Sequence, residues 1–128
     1  MRVLAVDDCL SIRKIVTYVL KNTDGISHVD TVDNGHCALK AIQDAHYDLI
    51  MVDWSMRPMS GEELIGHIRK LPQSKGVPII VLSAECQQAS KSQAKSLGAN
   101  GWIAKPFHPD RLRDVLKSYI QPVKLLKA

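Results

Sequence analysis

Five short runs of apolar residues punctuate the chain, and each stops at a polar side chain. Residues 2–6 (RVLAV) end at Asp7 and Asp8, residues 49–52 (LIMV) at Asp53, residues 77–82 (VPIIVL) at Ser83 and residues 101–104 (GWIA) at Lys105. Runs with nothing polar inside them predict strands buried on both faces. Residues 28–32 (HVDTV) alternate instead, as an outer strand of the same sheet would, and end at the turn Asp33-Asn34-Gly35.

Between the runs the period changes. Ile12, Ile15, Val16, Val19 and Leu20 recur at i, i+3, i+4, i+7 and i+8, which predicts an amphipathic helix with those five on its buried face and Ser11 as its N-cap. Ala38, Leu39, Ala41, Ile42 and Ala45 mark a second helix. Leu64, Ile65 and Ile68 mark a third, opened by a capping box in which Glu63 reaches back to Ser60. A loop covers 71–76. Residues 87–97 predict a polar fourth helix whose apolar face offers only Ala89, Ala94 and Leu97, and Gly98 stops it. The fifth starts near Pro109, carries Leu112, Val115, Leu116, Tyr119 and Ile120, and ends at Pro122. Strand–helix alternation five times over predicts an α/β fold with a parallel sheet between two layers of helices.

Composition narrows the class without choosing a function. A chain of 128 residues is one domain, which we place at 1–121 with a short tail at 122–128. A domain of that size buries roughly two-thirds of its unfolded surface and needs no staple. The three cysteines are odd in number, widely spaced and form no C-x-x-C pair, so reduced thiols in the cytoplasm are expected. No apolar run approaches the roughly 18 residues of a membrane span. The net charge of +4 comes from scattered residues, which argues for a solvated surface and no nucleic-acid partner.

The chemistry sits at the strand ends. In a parallel sheet the carboxyl ends of the strands share one edge, where open α/β sheets place their sites. Asp7, Asp8, Asp53, Ser83 and Lys105 therefore become neighbours. Each alone is ordinary: an acidic turn, a loop cap, a strand-end serine, a surface Lys-Pro. Four different strands delivering them to equivalent positions is not. Three carboxylates repel unless a cation sits among them, and few hard oxygen ligands suit Mg²⁺, with Mn²⁺ as a substitute. A hydroxyl and an ammonium facing the same spot suit phosphoryl oxygens. Asp53, lacking a structural role, can serve as a nucleophile toward phosphorus.

Residues 6–15 (VDDCLSIRKI), 53–61 (DWSMRPMSG), 82–85 (LSAE) and 98–107 (GANGWIAKPF) together resemble the response-regulator receiver domains of two-component signalling, in style the single-domain chemotaxis receivers. The resemblance spans nearly the whole chain. It implies a flavodoxin-like (βα)5 sandwich with strand order 2-1-3-4-5. It implies that Asp53 accepts a phosphoryl group from a phosphohistidine on a sensor histidine kinase or phosphotransfer protein. Asp8, Asp53 and the Ser55 carbonyl are expected to bind Mg²⁺, with Asp7 acting partly through water. Ser83, Ala84 and Lys105 are expected to contact the phosphoryl group, and the Lys105–Pro106 bond to be cis. Trp102 takes the place of the switch aromatic that turns inward as Ser83 moves. Ser55 and Glu85 flank the path of hydrolytic water and tune its rate. The fourth helix, fifth strand and fifth helix form the face read by a protein target. The expected role is a signalling switch, either free-standing or part of a hybrid kinase or longer regulator, not a metabolic enzyme.

Two positions depart from the family pattern. Arg57 stands where proline is usual, with Pro58 one later, which puts a second cation within reach of the acidic pocket. Trp102 is bulkier than the usual aromatic. An aspartyl-phosphate phosphatase would want an acid at Ser55. A flavin or nucleotide carrier would want a Gly- or Ser/Thr-rich phosphate loop where Asp7-Asp8-Cys9 stands. A pseudo-receiver would have lost some of Asp8, Asp53, Ser83 and Lys105.

Overall fold

The computed structural model describes residues 1–120 of the chain. The order is β1 (Arg2–Val6), α1 (Leu10–Lys21), β2 (His28–Val32), α2 (Gly35–Asp44), β3 (Leu49–Asp53), α3 (Gly61–Arg69), β4 (Ile79–Ser83), α4 (Gln88–Leu97), β5 (Gly101–Ala104) and α5 (Pro109–Lys117). The strands form one parallel sheet in the order β2-β1-β3-β4-β5. This is the flavodoxin-like arrangement, with the alternating strand β2 at an edge as its pattern predicts.

Strand side chains alternate between two cores. Leu4, Val6, Ile50, Val52, Ile79 and Val81 pack under α2, α3 and α4. Val3, Ala5, Leu49, Met51, Ile80, Leu82 and Ile103 pack under α1 and α5. Burial on both sides is why β1, β3 and β4 read as unbroken apolar runs. β1 and β3, which flank the point where the strand order reverses, end side by side, with Val6 paired to Val52.

Several local expectations are corrected. α1 begins at Leu10, and Cys9, not Ser11, is its N-cap, with no side-chain cap bond. The Asp7 carboxylate accepts the Cys9 amide at 2.9 Å and turns the chain early. Ile15 lies at the margin of the α1 stripe and is 37% exposed, while Val16, Val19 and Leu20 are buried. Asn34 caps α2, whose first residue is Gly35, by accepting the Cys37 amide. β4 starts at Ile79, after Pro78, and a 3-10 turn over Pro72–Ser74 interrupts the preceding loop. On α4, Ala89 is exposed. α5 stops at Lys117, closed by amides of Ser118 and Tyr119 bonding three residues back to Val115 and Leu116. Pro122 and the proposed tail at 122–128 lie outside the described residues. The Ser60–Glu63 capping box is present. None of the described helices is long and apolar enough to cross a membrane.

Candidate functional site

The pocket is built at the carboxyl ends of β1, β3 and β5. β1 delivers Asp7 and β3 delivers Asp53, both in buried positions at 1% and 3% exposure. Asp8, one residue beyond β1, is exposed. One carboxylate oxygen from each of the three lies within 4.8 Å of the others. The Lys105 ammonium, just past β5, spans two of them, 2.8 Å from Asp7 Oδ2 and 3.1 Å from Asp53 Oδ1. Three carboxylates against one ammonium leave the pocket short of about two positive charges, the deficit one divalent cation makes good. The donor set, all carboxylate oxygen, fits Mg²⁺ or Mn²⁺ and not a soft metal.

The electrostatics follow from burial. Asp53 is pushed up to about 6, first because burial disfavours its charge and next because Asp7 repels it. Lys105 and the Ser55 amide, which donates to Asp53 Oδ1 at 3.2 Å, oppose the rise. Burial alone would lower the Lys105 ammonium, but the hydrogen bond and charge of Asp7, with the charge of Asp53, hold it above its ordinary range. The lysine is therefore a fixed cation.

Ser83 ends β4 one residue beyond Leu82, the register partner of Asp53. It is fully buried, and its Oγ accepts the Glu85 amide at 2.9 Å. That bond uses a lone pair, so the hydroxyl proton stays available to an acceptor in the pocket. Ala84 is exposed beside it. The Lys105–Pro106 and Arg57–Pro58 bonds are cis. Arg57 is exposed, and among the described residues the cation paired with the acids is Lys105.

Trp102, on β5, packs its ring against Trp54, the residue after Asp53, with centroids 5.4 Å apart and planes tilted by 55°. Its Nε1 is buried and has no acceptor among the described residues. The sequence carries no signal for this contact, which joins the residue after β3 to one on β5. Nor does it signal Ser90, whose hydroxyl donates to the Glu85 carboxylate. Five residues and a loop separate that pair, and no helical or strand period reaches across them. The thiols of Cys9, Cys37 and Cys86 are free and exposed.

Comparison with known proteins agrees with this fold. Residues 3–117 match the family model described as the response regulator receiver domain. Chemotaxis protein CheY-3 of Vibrio cholerae is 32% identical over 116 residues, 91% of this chain and 88% of that one. The structure of Vibrio cholerae CheY4 crystallised at low pH superposes with a TM-score of 0.87 at 37% identity, covering 92% of this chain and 97% of its own. The receiver domain of sensor histidine kinase PA1611 from Pseudomonas aeruginosa, solved with magnesium coordinated in its active-site cleft, gives a TM-score of 0.82 at 27% identity, covering 93% and 96%.

Proposed function

The chain is a member of the response regulator receiver domain family of two-component systems, and on that premise we propose that it is a phospho-accepting switch. Asp53 takes a phosphoryl group from a phosphohistidine of a sensor histidine kinase or phosphotransfer protein. A carboxylate oxygen of Asp53 attacks phosphorus, the phosphorus–nitrogen bond breaks, and the imidazole leaves with the bonding pair. Lys105, 3.1 Å from Asp53, meets the charge that arrives on the phosphoryl oxygens, which spares the buried pocket an uncompensated anion. Ser83 donates its free hydroxyl proton to one of those oxygens, and the Ala84 amide serves another. Mg²⁺, or Mn²⁺ in its place, would be held by Asp8, Asp53 and the Ser55 carbonyl, with Asp7 partly through water, and when bound neutralises charge on the transferring group.

Water attacking the acyl phosphate returns Asp53 to its free form. Ser55 and Glu85 stand at the mouth of that path and set its rate. The protein thus acts on itself alone and turns over no metabolite. As Ser83 moves toward the phosphoryl group, Trp102 turns further inward. The face made by α4, β5 and α5 then changes for a protein target. Three exposed thiols support a site of action in the reducing cytoplasm. The likeness to the PA1611 receiver equally supports a receiver belonging to a hybrid kinase or longer regulator, which would use the same pocket.

The observation carrying this reading is the Lys105 ammonium bridging Asp7 and Asp53, with Asp8 in reach. Incubation with Mg²⁺ and acetyl phosphate, followed by intact mass measurement, should give a transient gain of one phosphoryl group that Asp53→Ala lacks. No gain at any donor concentration, or an equal gain in Asp53→Ala, rejects it. Tryptophan emission should change with the same additions and return as the group is lost.

A further inference from the structure

Hydrogen-bonding groups line up from the pocket to the first turn of α4. The Glu85 amide donates to Ser83 Oγ at 2.9 Å, and Ser90 Oγ donates to the Glu85 carboxylate. Ser83 is fully buried, and Glu85 and Ser90 are half-buried. Little else holds α4 at this end. Its N-cap Gln87 makes no side-chain cap bond, its first turn holds no acid, and it buries Ala94 alone. A helix whose opening amides lack a cap and whose apolar face is this narrow is prone to fray. Glu85 thus grips the pocket hydroxyl with its amide and the helix with its carboxylate.

We propose that Ser90 is a positioning residue that, through Glu85, couples α4 to the state of the Ser83 hydroxyl. The proposal rests on the phospho-accepting reading of Asp53. While Ser83 Oγ accepts the Glu85 amide, residues 84–87 and the first turn of α4 are held as observed. When Ser83 Oγ swings toward a phosphoryl oxygen to donate its free proton, the oxygen leaves the Glu85 amide, which loses its acceptor, and the loop is released. The Glu85 carboxylate moves with the loop, and the first turn of α4, joined to it through Ser90, moves too. Only hydrogen bonds change partners. Ser90 itself touches neither the acids nor Lys105.

Hydrogen exchange read by mass spectrometry on the full chain tests this, with and without Mg²⁺ and acetyl phosphate. In the parent protein, exchange over residues 88–92 should speed up on phosphorylation. In Ser90→Ala it should already be faster by roughly tenfold, the order expected for losing a hydrogen bond to a charged group. It should also stop responding, although the phosphoryl mass gain is retained. Alanine is the better helix former, so helix propensity alone would change exchange in the opposite direction. Ser90→Thr, which keeps the hydroxyl, should restore the response. Ser90→Ala combined with Glu85→Ala should be no faster than either alone, the mark of one shared link. Parent-like exchange and response in Ser90→Ala, failure of Ser90→Thr to restore them, or additivity in the double variant overturns the proposal. A parent protein that gains no phosphoryl group instead overturns the reading of Asp53, and the unphosphorylated comparison still tests the link.

Discussion

Asp53 is charged near neutral pH against the preference of its surroundings. Its folded value of about 6 lies above the ordinary 3.8 because it is buried and faces Asp7. Between those two values the native chain keeps a proton that the unfolded chain has released, so stability falls as pH rises through the window. The loss amounts to about 3 kcal/mol, since each unit of displacement is worth about 1.4 kcal/mol. Asp53→Asn keeps the shape and an oxygen for the Ser55 amide but removes the charge. In metal-free buffer the variant should therefore be more stable than the parent by about 2–3 kcal/mol near pH 7 and almost equal to it near pH 3.5. Denaturant titrations across that range check this, and parallel pH profiles for the two proteins would sink it. A buried acid whose ionisation costs stability is the arrangement expected where function sets the residue, as the proposed phosphoacceptor role of Asp53 requires.

α3 holds two glycines that make opposite demands. At Gly61, where α3 begins against the end of β3, an added Cβ would lie 2.3 Å from the Asp53 carbonyl oxygen and 2.7 Å from Trp54 Cα. Backbone atoms cannot yield, so the helix would have to back away from the strand that carries the acid. At Gly66, inside the same helix, an added Cβ meets nothing within 4 Å. Gly61→Ala should destabilise by about 1–3 kcal/mol, the usual range for overpacking. Gly66→Ala should stabilise by about 0.5–1 kcal/mol, because alanine loses less conformational freedom in a helix. Thermal unfolding of both variants decides it, and shifts of the same sign would refute the packing account. The strand ends were legible in the sequence because each buried run stops at the polar residue that forms the pocket. The start of α1 was not, because the turn is made by the Asp7 carboxylate folding back on Cys9, a contact that periodicity does not encode. Ile15 misled because a residue at the margin of an apolar stripe satisfies the pattern whether or not it is covered. Lys105 was legible as the pocket's cation because it follows a strand end, whereas the place of Arg57 was not, because a loop residue can point either way and only the fold shows it exposed.

At the scale of the molecule, the sheet gathers like charges that no isolated element would bring together. β1 and β3 place two buried carboxylates side by side, Asp8 adds a third, and among the described residues the one ammonium paired with them comes from the far side of the sheet, after β5. The pocket therefore costs the fold stability until a divalent cation enters. Linkage then requires that Mg²⁺, binding the native chain and not the unfolded one, raise the unfolding free energy. At ten times its dissociation constant the gain is about 1.4 kcal/mol, and it grows by about as much for each further tenfold in concentration. Asp8 separates this effect from the fold itself, because it is the exposed acid of the three and outside the Lys105 bridge. Asp8→Asn should leave metal-free stability within about 0.5 kcal/mol of the parent, as surface changes do, yet lose most of the Mg²⁺-dependent gain. Melting curves over a Mg²⁺ series, with Ca²⁺ and a chelator as controls, measure both quantities without any phosphodonor. A parent protein whose stability ignores Mg²⁺, or an Asp8→Asn variant that keeps the full gain, would mean that the strand ends do not share one cation. The pocket would then have to answer its charge deficit through Lys105 alone.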